Sequence, residues 1–464
     1  AAQVLMNRGI LKPEQARSFL HPTLGGLGAP EALPDMEQAA ERLYRAVRDG
    51  ETIAIYGDYD VDGLAATAIL MRALRMLGAD PRYHIPHRLE EGYGLNADTV
   101  TDLKEGGAGL IVTVDCGIRA VKEVALARRL GMDVIVTDHH EPGDEVPADV
   151  LLVNPKLPGS LYPFRELSGA GVAFKLAWAL GKQASPRERV QPEFSKFLQN
   201  VLWLAALGTI ADVVPLLDEN RIIARFGLDA LSASSSPGIE ALCEAARINR
   251  DMLSATDVAF RIAPRLNAAG RMGCARKCVE LLTTDDAGAA REIAAELNTE
   301  NGRRQRMQER ILQEARELRD AASEATYEHA LLLAREDWHA GVVGIVAARL
   351  AEEHRRPALL LTIEGDEAHG SARSIPGFNL FEALSECGKH LTAFGGHAMA
   401  AGLRLPASAL DAFREDFSRV AAARLSDVER TPRLDLDAQV TLTDLRRPVV
   451  DQLTSLRPFG SDNP

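Results

Sequence analysis

The 464 residues include only five cysteines, at positions 116, 243, 274, 278 and 387, and their spacing matches no metal or disulfide framework. Cys274 and Cys278 lack a second pair, so a stapled secreted fold is set aside and a reducing, cytoplasmic setting is expected. Cations are also short: 53 Lys and Arg against 66 Asp and Glu leave a formal net charge of -13. Such a surface does not bind nucleic acid over its whole extent, because phosphate contacts need clustered Lys and Arg; a local basic groove remains open. No apolar run nears the roughly 18 residues that a membrane span needs, and no signal-peptide pattern opens the chain. No internal repeat or low-complexity tract is apparent. An initiating methionine is missing too: the chain starts AAQ and stops at DNP, as a trimmed stretch would.

What is present is ordinary globular composition, 46% hydrophobic and 26% charged. The length exceeds what one core usually supports, so two large domains and a smaller appendage are expected. Residues 1–50 read as a proline-punctuated lead-in with a helical stretch from Met36 to Val47. From Thr52 strands alternate with helices: TIAIYG then LAATAILMRALRMLG, LIVTVD then IRAVKEVALARRLG, DVIVTD then a loop, LLVNP then SGAGVAFKLAWALG. That alternation predicts a parallel α/β sheet over 51–225, completed by a helix at 196–207 and a turn at GTIADVVPL. A helical segment over 226–325 includes RIAPRLNAAGRMG. It ends in a connector helix over 285–322, with Met307, Ile311, Ala315 and Leu318 at helical spacing. A second, smaller α/β domain is expected over 326–425, and RLDLDAQVTL opens what reads as a β unit over 430–464.

Three strands end in chemistry. TIAIYGDYDVDG delivers Asp58, Asp60 and Asp62, LIVTVDCG delivers Asp115, and DVIVTDHH delivers Asp138, His139 and His140. In an open parallel sheet those carboxyl ends share one edge, where ligands bind. Alternating acids after a strand also serve as turn and helix-cap residues, and a His pair can be a cap and a surface residue. Four acids beside two imidazoles, however, repel unless neutralised, and a divalent cation supplies that neutralisation. Mixed oxygen and imidazole donors suit Mn²⁺ or Mg²⁺, with imidazole tilting the choice toward Mn²⁺. Two ions about 3.5–4 Å apart sharing one carboxylate would suit phosphoester hydrolysis. Asp212 in GTIADVVPL is a further acid in an apolar setting, equally readable as a cap. In the second domain Ser371, Arg373, Gly395, Gly396 and His397 suit a phosphate contact or, for the glycines, a tight turn. Arg303, Arg304, Arg306 and Arg310 on the connector suit a solvated face.

In this order GDYDVDG, VTVDCG, VTDHH and GTIADVVPL resemble the four motifs of the DHH phosphoesterase family, and SAR followed by GGHAMAAG resembles the associated DHHA1 domain. The resemblance covers about residues 52–405. RIAPRLNAAGRMG, the connector, WHAGVVGIVAARL and RPFGSDNP are similar to the single-strand-specific DNA exonuclease branch, apart from Asp462, where relatives commonly carry glycine. The resemblance implies that Asp60 and Asp115 hold one ion and that Asp62, Asp115, His139 and Asp212 hold the other, with Asp115 bridging and Asp58 a ligand or a support. It implies that His140 faces the scissile phosphate and that Asp138 orients an imidazole. Ser371, Arg373, Gly395, Gly396 and His397 would grip DNA across a groove, with Asn267, Arg271 and Arg304 also on the substrate side.

The implied fold is two α/β domains joined by the long helix, with the start of an OB-type β domain at the end. The implied activity is 5′-to-3′ degradation of single-stranded DNA to mononucleotides in repair and recombination, by a cytoplasmic monomer. A single-stranded-DNA-binding protein or a helicase would assist, and no membrane is involved. The rivals are a family enzyme for short oligonucleotides or cyclic dinucleotides and, from another class, a noncatalytic DNA-binding scaffold. The full set of acids disfavours the scaffold.

Overall fold

The structure, a computed structural model, describes residues 1–464 except 89, 186–189 and 426–433. It divides into two compact units, one of residues 1–300 with 436–464 and one of residues 301–435.

The first unit is built on a five-stranded sheet of β1 (Ile53–Gly57), β2 (Arg82–His84), β3 (Leu110–Val114), β4 (Asp133–Thr137) and β5 (Leu151–Val153). The spatial order is β2-β1-β3-β4-β5, and every pairing is parallel. β1 and β3 are buried along their whole length, which is why they read as unbroken apolar runs. Period two still sorts their side chains. Ile53, Ile55, Val112 and Ile135 join the large core on one face, while Ala54, Tyr56, Ile111 and Val134 join a smaller core on the other. The half-exposed edge strand β2 has no apolar run, and the sequence pattern does not predict it.

Helix Val61–Met76 is buried almost all round, and its alanines allow close packing against helices Gly169–Gln183 and Pro192–Ala211. The expected turn at GTIADVVPL begins later than predicted. Gly208 to Ala211 remain helical, and the chain leaves the helix only at Asp212.

The connector is a single helix, Ala287–Ala321, of 35 residues. The second unit's sheet contains β6 (Leu331–Glu336), β7 (Ala358–Glu364), β8 (Glu367–Arg373), β9 (Ala393–Gly396) and β10 (Ala400–Pro406) in the order β6-β7-β8-β10-β9. Only β6 and β7 are parallel. Mixed topology follows from connection length, because the turn at Gly365 and Asp366 is far too short for a crossover between β7 and β8.

The expected OB-type start is not confirmed in the tail. Its first positions, 430–433, lie outside the described residues. From 434 the described residues make a short turn at Leu442–Asp444, helix Arg447–Thr454 and one isolated bridge between Gly460 and Asn463, with no named strand. Leu434, Leu436 and Val440 alternate as a strand would but are exposed, and an unpaired strand has no sheet to stabilise it. Instead Leu456 packs with Val4, Leu5 and Phe19 of the lead-in. Asp462 has φ 55°, the left-handed region that favours glycine. No helix among the described residues is long and apolar enough to cross a membrane.

Candidate metal centre

Parallel pairing puts the ends of β1, β3 and β4 on one edge, and Asp58, Asp115 and Asp138 follow them directly. Asp58 is buried, and its Oδ1 has no hydrogen-bond partner among the described residues. Asp60 caps helix Val61–Met76, its Oδ1 accepting from Asp62 N at 2.9 Å and Gly63 N at 3.2 Å. Asp62, in the first turn, points back into the protein. Gly169 N donates to its Oδ2 at 2.6 Å and Ala170 N to its Oδ1 at 2.9 Å. Asp115 sits at φ 62°, and its buried Oδ1 likewise has no hydrogen-bond partner among the described residues.

His139 Nε2 lies 3.1 Å from Asp115 Oδ1, 3.6 Å from Asp212 Oδ2 and 3.8 Å from Asp62 Oδ2. Neither ring nitrogen has a hydrogen-bond partner among the described residues, so the close approach to Asp115 lacks donor geometry. Donor atoms thus converge in three overlapping sets: Asp58, Asp60 and Asp115; Asp62, His139 and Asp212; and Asp115, His139 and His140. Within each set the atoms lie within 4.8 Å of one another. Two glycines make this crowding possible. A Cβ on Gly169 would lie 2.5 Å from Asp115 Oδ1, and one on Gly208 would lie 2.3 Å from Asp62 Oδ1.

The electrostatics follow from the burial of like charges. Burial, reinforced by Asp60, pushes the Asp62 carboxyl up to about 7. Burial and then Asp62 push Asp212 to about 9. Asp58 and Asp115 are raised well above the carboxylate range, first by burial and then by neighbouring acids. Burial, with His140 adding to it, lowers His139 to about 3 and keeps it a neutral donor. Acids that would be protonated without a counter-charge, beside a neutral imidazole with unpartnered nitrogens, fit a divalent cation site.

Asp138 differs from its neighbours. Burial alone would raise it, but the hydrogen bond from His140 holds it below its ordinary value. Its Oδ1 accepts from His139 N at 2.7 Å, and from His140 N at 3.1 Å and Nδ1 at 2.8 Å; its Oδ2 accepts from Ile118 N at 3.0 Å. Burial would lower His140, but Asp138 outweighs it and holds the imidazole up at about 9. Tyr93 OH lies 3.2 Å from His140 Nδ1 and 3.4 Å from Asp115 O, contacts that sequence reasoning missed because the phenol comes from a loop 47 residues before His140 and 22 before Asp115.

The expected substrate residues are distributed as follows. Asn267 Oδ1 accepts from Val61 N at 3.2 Å, so it supports the helix that carries Asp62. Arg271 ends helix Ala263–Arg271, and its charge reaches the Tyr59 phenol. Arg304 donates to Gln308 Oε1 at 2.7 Å and Asn301 Oδ1 at 2.6 Å, which ties its guanidinium to its own helix. In the second unit Arg373 Nη1 donates to Ser371 Oγ at 2.7 Å on β8. Helix Ala340–His354 comes so close there that a Cβ on Gly344 would lie 2.9 Å from Ser371 Oγ. Gly395 and Gly396 end β9, and a Cβ on Gly396 would meet Ala400 O at 2.3 Å. His397 N donates to Ala400 O at 2.8 Å in the same hairpin.

Residues 52–209 match the model of the DHH family, N-terminal domain, and residues 326–423 match the DHHA1 domain. The chain is 41% identical over 465 residues to the single-stranded-DNA-specific exonuclease RecJ of Bacillus subtilis, all of this chain and 57% of that protein. It is 37% identical over 455 residues to RecJ of Salmonella typhimurium, 95% of this chain and 78% of that protein. The chain thus spans little more than half the length of the Bacillus relative. The crystal structure of RecJ from Thermus thermophilus in complex with Mn²⁺ superposes with a TM-score of 0.84 at 37% identity, covering 100% of this chain and 64% of that one. An exonuclease RecJ bound to manganese superposes with a TM-score of 0.75 at 40% identity, covering 87% of this chain and 97% of that one. With both domain models matched and the Salmonella relative covered over most of its length, the chain belongs to the DHH family, in its RecJ branch.

Proposed function

We propose that the chain is a metal-dependent exonuclease that hydrolyses single-stranded DNA from the 5′ end to mononucleotides, with two Mn²⁺ or Mg²⁺ ions. The observation that carries this is the convergence, at the sheet edge, of Asp58, Asp115 and His139 atoms that have no hydrogen-bond partner among the described residues. Asp58, Asp60 and Asp115 would hold one ion and Asp62, His139, Asp212 and Asp115 the other. When bound, such ions neutralise phosphoryl oxygens and make water nucleophilic at neutral pH.

The chain's own residues do the rest. Asp138 is ionised and can only accept, so the Nδ1 of His140 carries the proton between them. The hydrogen bond fixes the ring and, in the metal-free protein, holds the imidazole up at about 9, so that an Nε2–H would face a phosphate oxygen. Tyr93 restrains the same ring edge-on, with centroids 5.8 Å apart. Ser371, Arg373, the Gly395–Gly396 turn and His397 supply donors suited to DNA phosphate, with Arg271 and Asn267 placed near the catalytic helix start. The protein would act as a cytoplasmic monomer, assisted by a single-stranded-DNA-binding protein or a helicase. Digestion of single strands labelled at one end or the other, with Mn²⁺ and with EDTA, tests substrate, direction and metal together. Asp115→Asn should be inactive at every metal concentration, and an active Asp115→Asn would overturn the assignment.

A further inference from the structure

Asp212 lies directly before an irregular turn. It ends helix Pro192–Ala211, and the next residue, Val213, has φ 62°. A β-branched side chain rarely adopts that conformation, and it persists only where the surroundings over-determine it. Two devices meet at this turn. The first is Asn220, fully buried in the first turn of helix Asp218–Ala233. Its Nδ2 donates to Pro215 O at 3.1 Å, just beyond Asp212, and also to Glu166 O. Glu166 leads into Ser168, the cap of helix Gly169–Gln183, whose first amides hold Asp62. One amide therefore ties together the backbone frames of Asp62 and Asp212, two of the three acids around His139 Nε2. Its Oδ1 has no partner among the described residues, so the position uses the donors and not the oxygen.

The second device is the tail. Leu216 N donates to Ser461 O at 2.9 Å, and Gly460 presses so close that a Cβ there would lie 2.6 Å from Leu216 Cδ1. Buried Asn463 closes this tail turn, donating to Leu456 O at 2.9 Å and Pro458 O at 2.6 Å. Arg221, next to Asn220, donates to Arg457 O at 2.8 Å. Side chains of residues 220 and 221 thus hold the Asp212 turn and the segment that backs it.

We propose that Asn220 is a positioning residue for the cation site of Asp62, His139 and Asp212, with the tail turn Leu456–Asn463 as its counter-brace. This rests on the two-metal reading above. Residues that hold ligands in place typically alter metal affinity by about 10–100-fold when replaced. Mn²⁺ titration by calorimetry on the full chain, with thermal melting in EDTA, is the test. Wild type should bind two ions. Asn220→Leu, near in volume but without donors, should weaken one ion by about 10–100-fold and leave the other within about threefold. Asn220→Ser, which keeps one donor, should fall between, and excess Mn²⁺ should restore kcat in both. Gly460→Ala disturbs the same turn from the tail side and should weaken the same single ion, which keeps the test decisive where Asn220→Leu does not fold. Two ions bound normally by all three variants, or both ions weakened equally, overturns the positioning role alone. Wild type binding no Mn²⁺ overturns the two-metal reading itself, and the positioning role with it.

Discussion

Gly169→Ala is the most exacting probe of the crowding at the sheet edge, because it removes no functional group. A Cβ at this position would lie 2.5 Å from Asp115 Oδ1, 2.6 Å from its Cβ and 2.7 Å from its Cγ. Ordinary contact begins near 3.4 Å, so the Asp115 side chain must retreat by about 0.9 Å. Asp115 cannot swing far without leaving His139, whose Nε2 is 3.1 Å away. A misplacement of about 1 Å in a catalytic group costs on the order of 100-fold in rate. Stability should change far less. Gly169 is the first residue of its helix, where alanine recovers up to ~1 kcal/mol of helix propensity against ~1–3 kcal/mol of overpacking. The assay is kcat on a single-stranded oligonucleotide at saturating Mn²⁺, beside melting in EDTA. Activity within threefold of wild type, with an unchanged melting temperature, would refute the claim that Asp115 is wedged against this helix.

Other consequences can be measured separately. The Lys175 ammonium is fully buried against Glu219, with Tyr162 OH donating to Glu219 Oε1 at 2.6 Å. Glu219→Gln strands that cation and should cost about 3–5 kcal/mol in urea unfolding, whereas the double change Lys175→Met with Glu219→Leu should recover most of it; a single variant as stable as wild type would rule the pair out as a constraint. In EDTA the melting temperature should fall by several degrees as pH rises from 5 to 9. The sign follows from folded carboxyls at about 7 for Asp62 and about 9 for Asp212, raised above the usual ~3.9, so their contribution is full below the unfolded value and lost as pH passes the folded ones. Mn²⁺ should reverse the trend, and a flat EDTA profile would contradict it. Arg373→Gln should weaken single-strand binding and reduce the salt slope by about 0.7. Arg304→Gln should change binding less than twofold, since both of its Nη groups are already engaged within its own helix; equal losses in the two variants would undo the distinction.

The parts of this fold that are legible in the sequence are those governed by local pattern. β1, β3 and β4 are largely apolar runs because both of their faces are buried, and charged residues stand only at or beyond the strand ends, so Asp58, Asp115 and Asp138 mark one sheet edge. β2, half exposed, and β9, a glycine-rich edge strand with no buried face, carry no such pattern. The tail shows the converse: RLDLDAQVTL alternates as a strand does, yet among the described residues it pairs with no strand, and Leu434 and Leu436 lie in solvent. At the site, the acids and imidazoles are visible because their chemistry is unusual for a strand end. What decides their behaviour is not visible, because it arrives from far along the chain. Gly169 and Ala170 reach Asp62 across 107 and 108 residues, and Asn220 reaches Glu166 across 54. In the sequence Gly169 is one small residue in a helix start and Asn220 one amide in a polar turn; only the fold gives them carboxylates to hold. Asp60 and Asp62 illustrate the same limit, alike in sequence and two positions apart. One caps its helix at a half-exposed position, while the other is buried against a neighbouring helix's amides, where burial drives it up to about 7 although those amides pull it down. Residue type and spacing nominate a metal ligand, but the amides facing it determine whether it meets the ion already ordered.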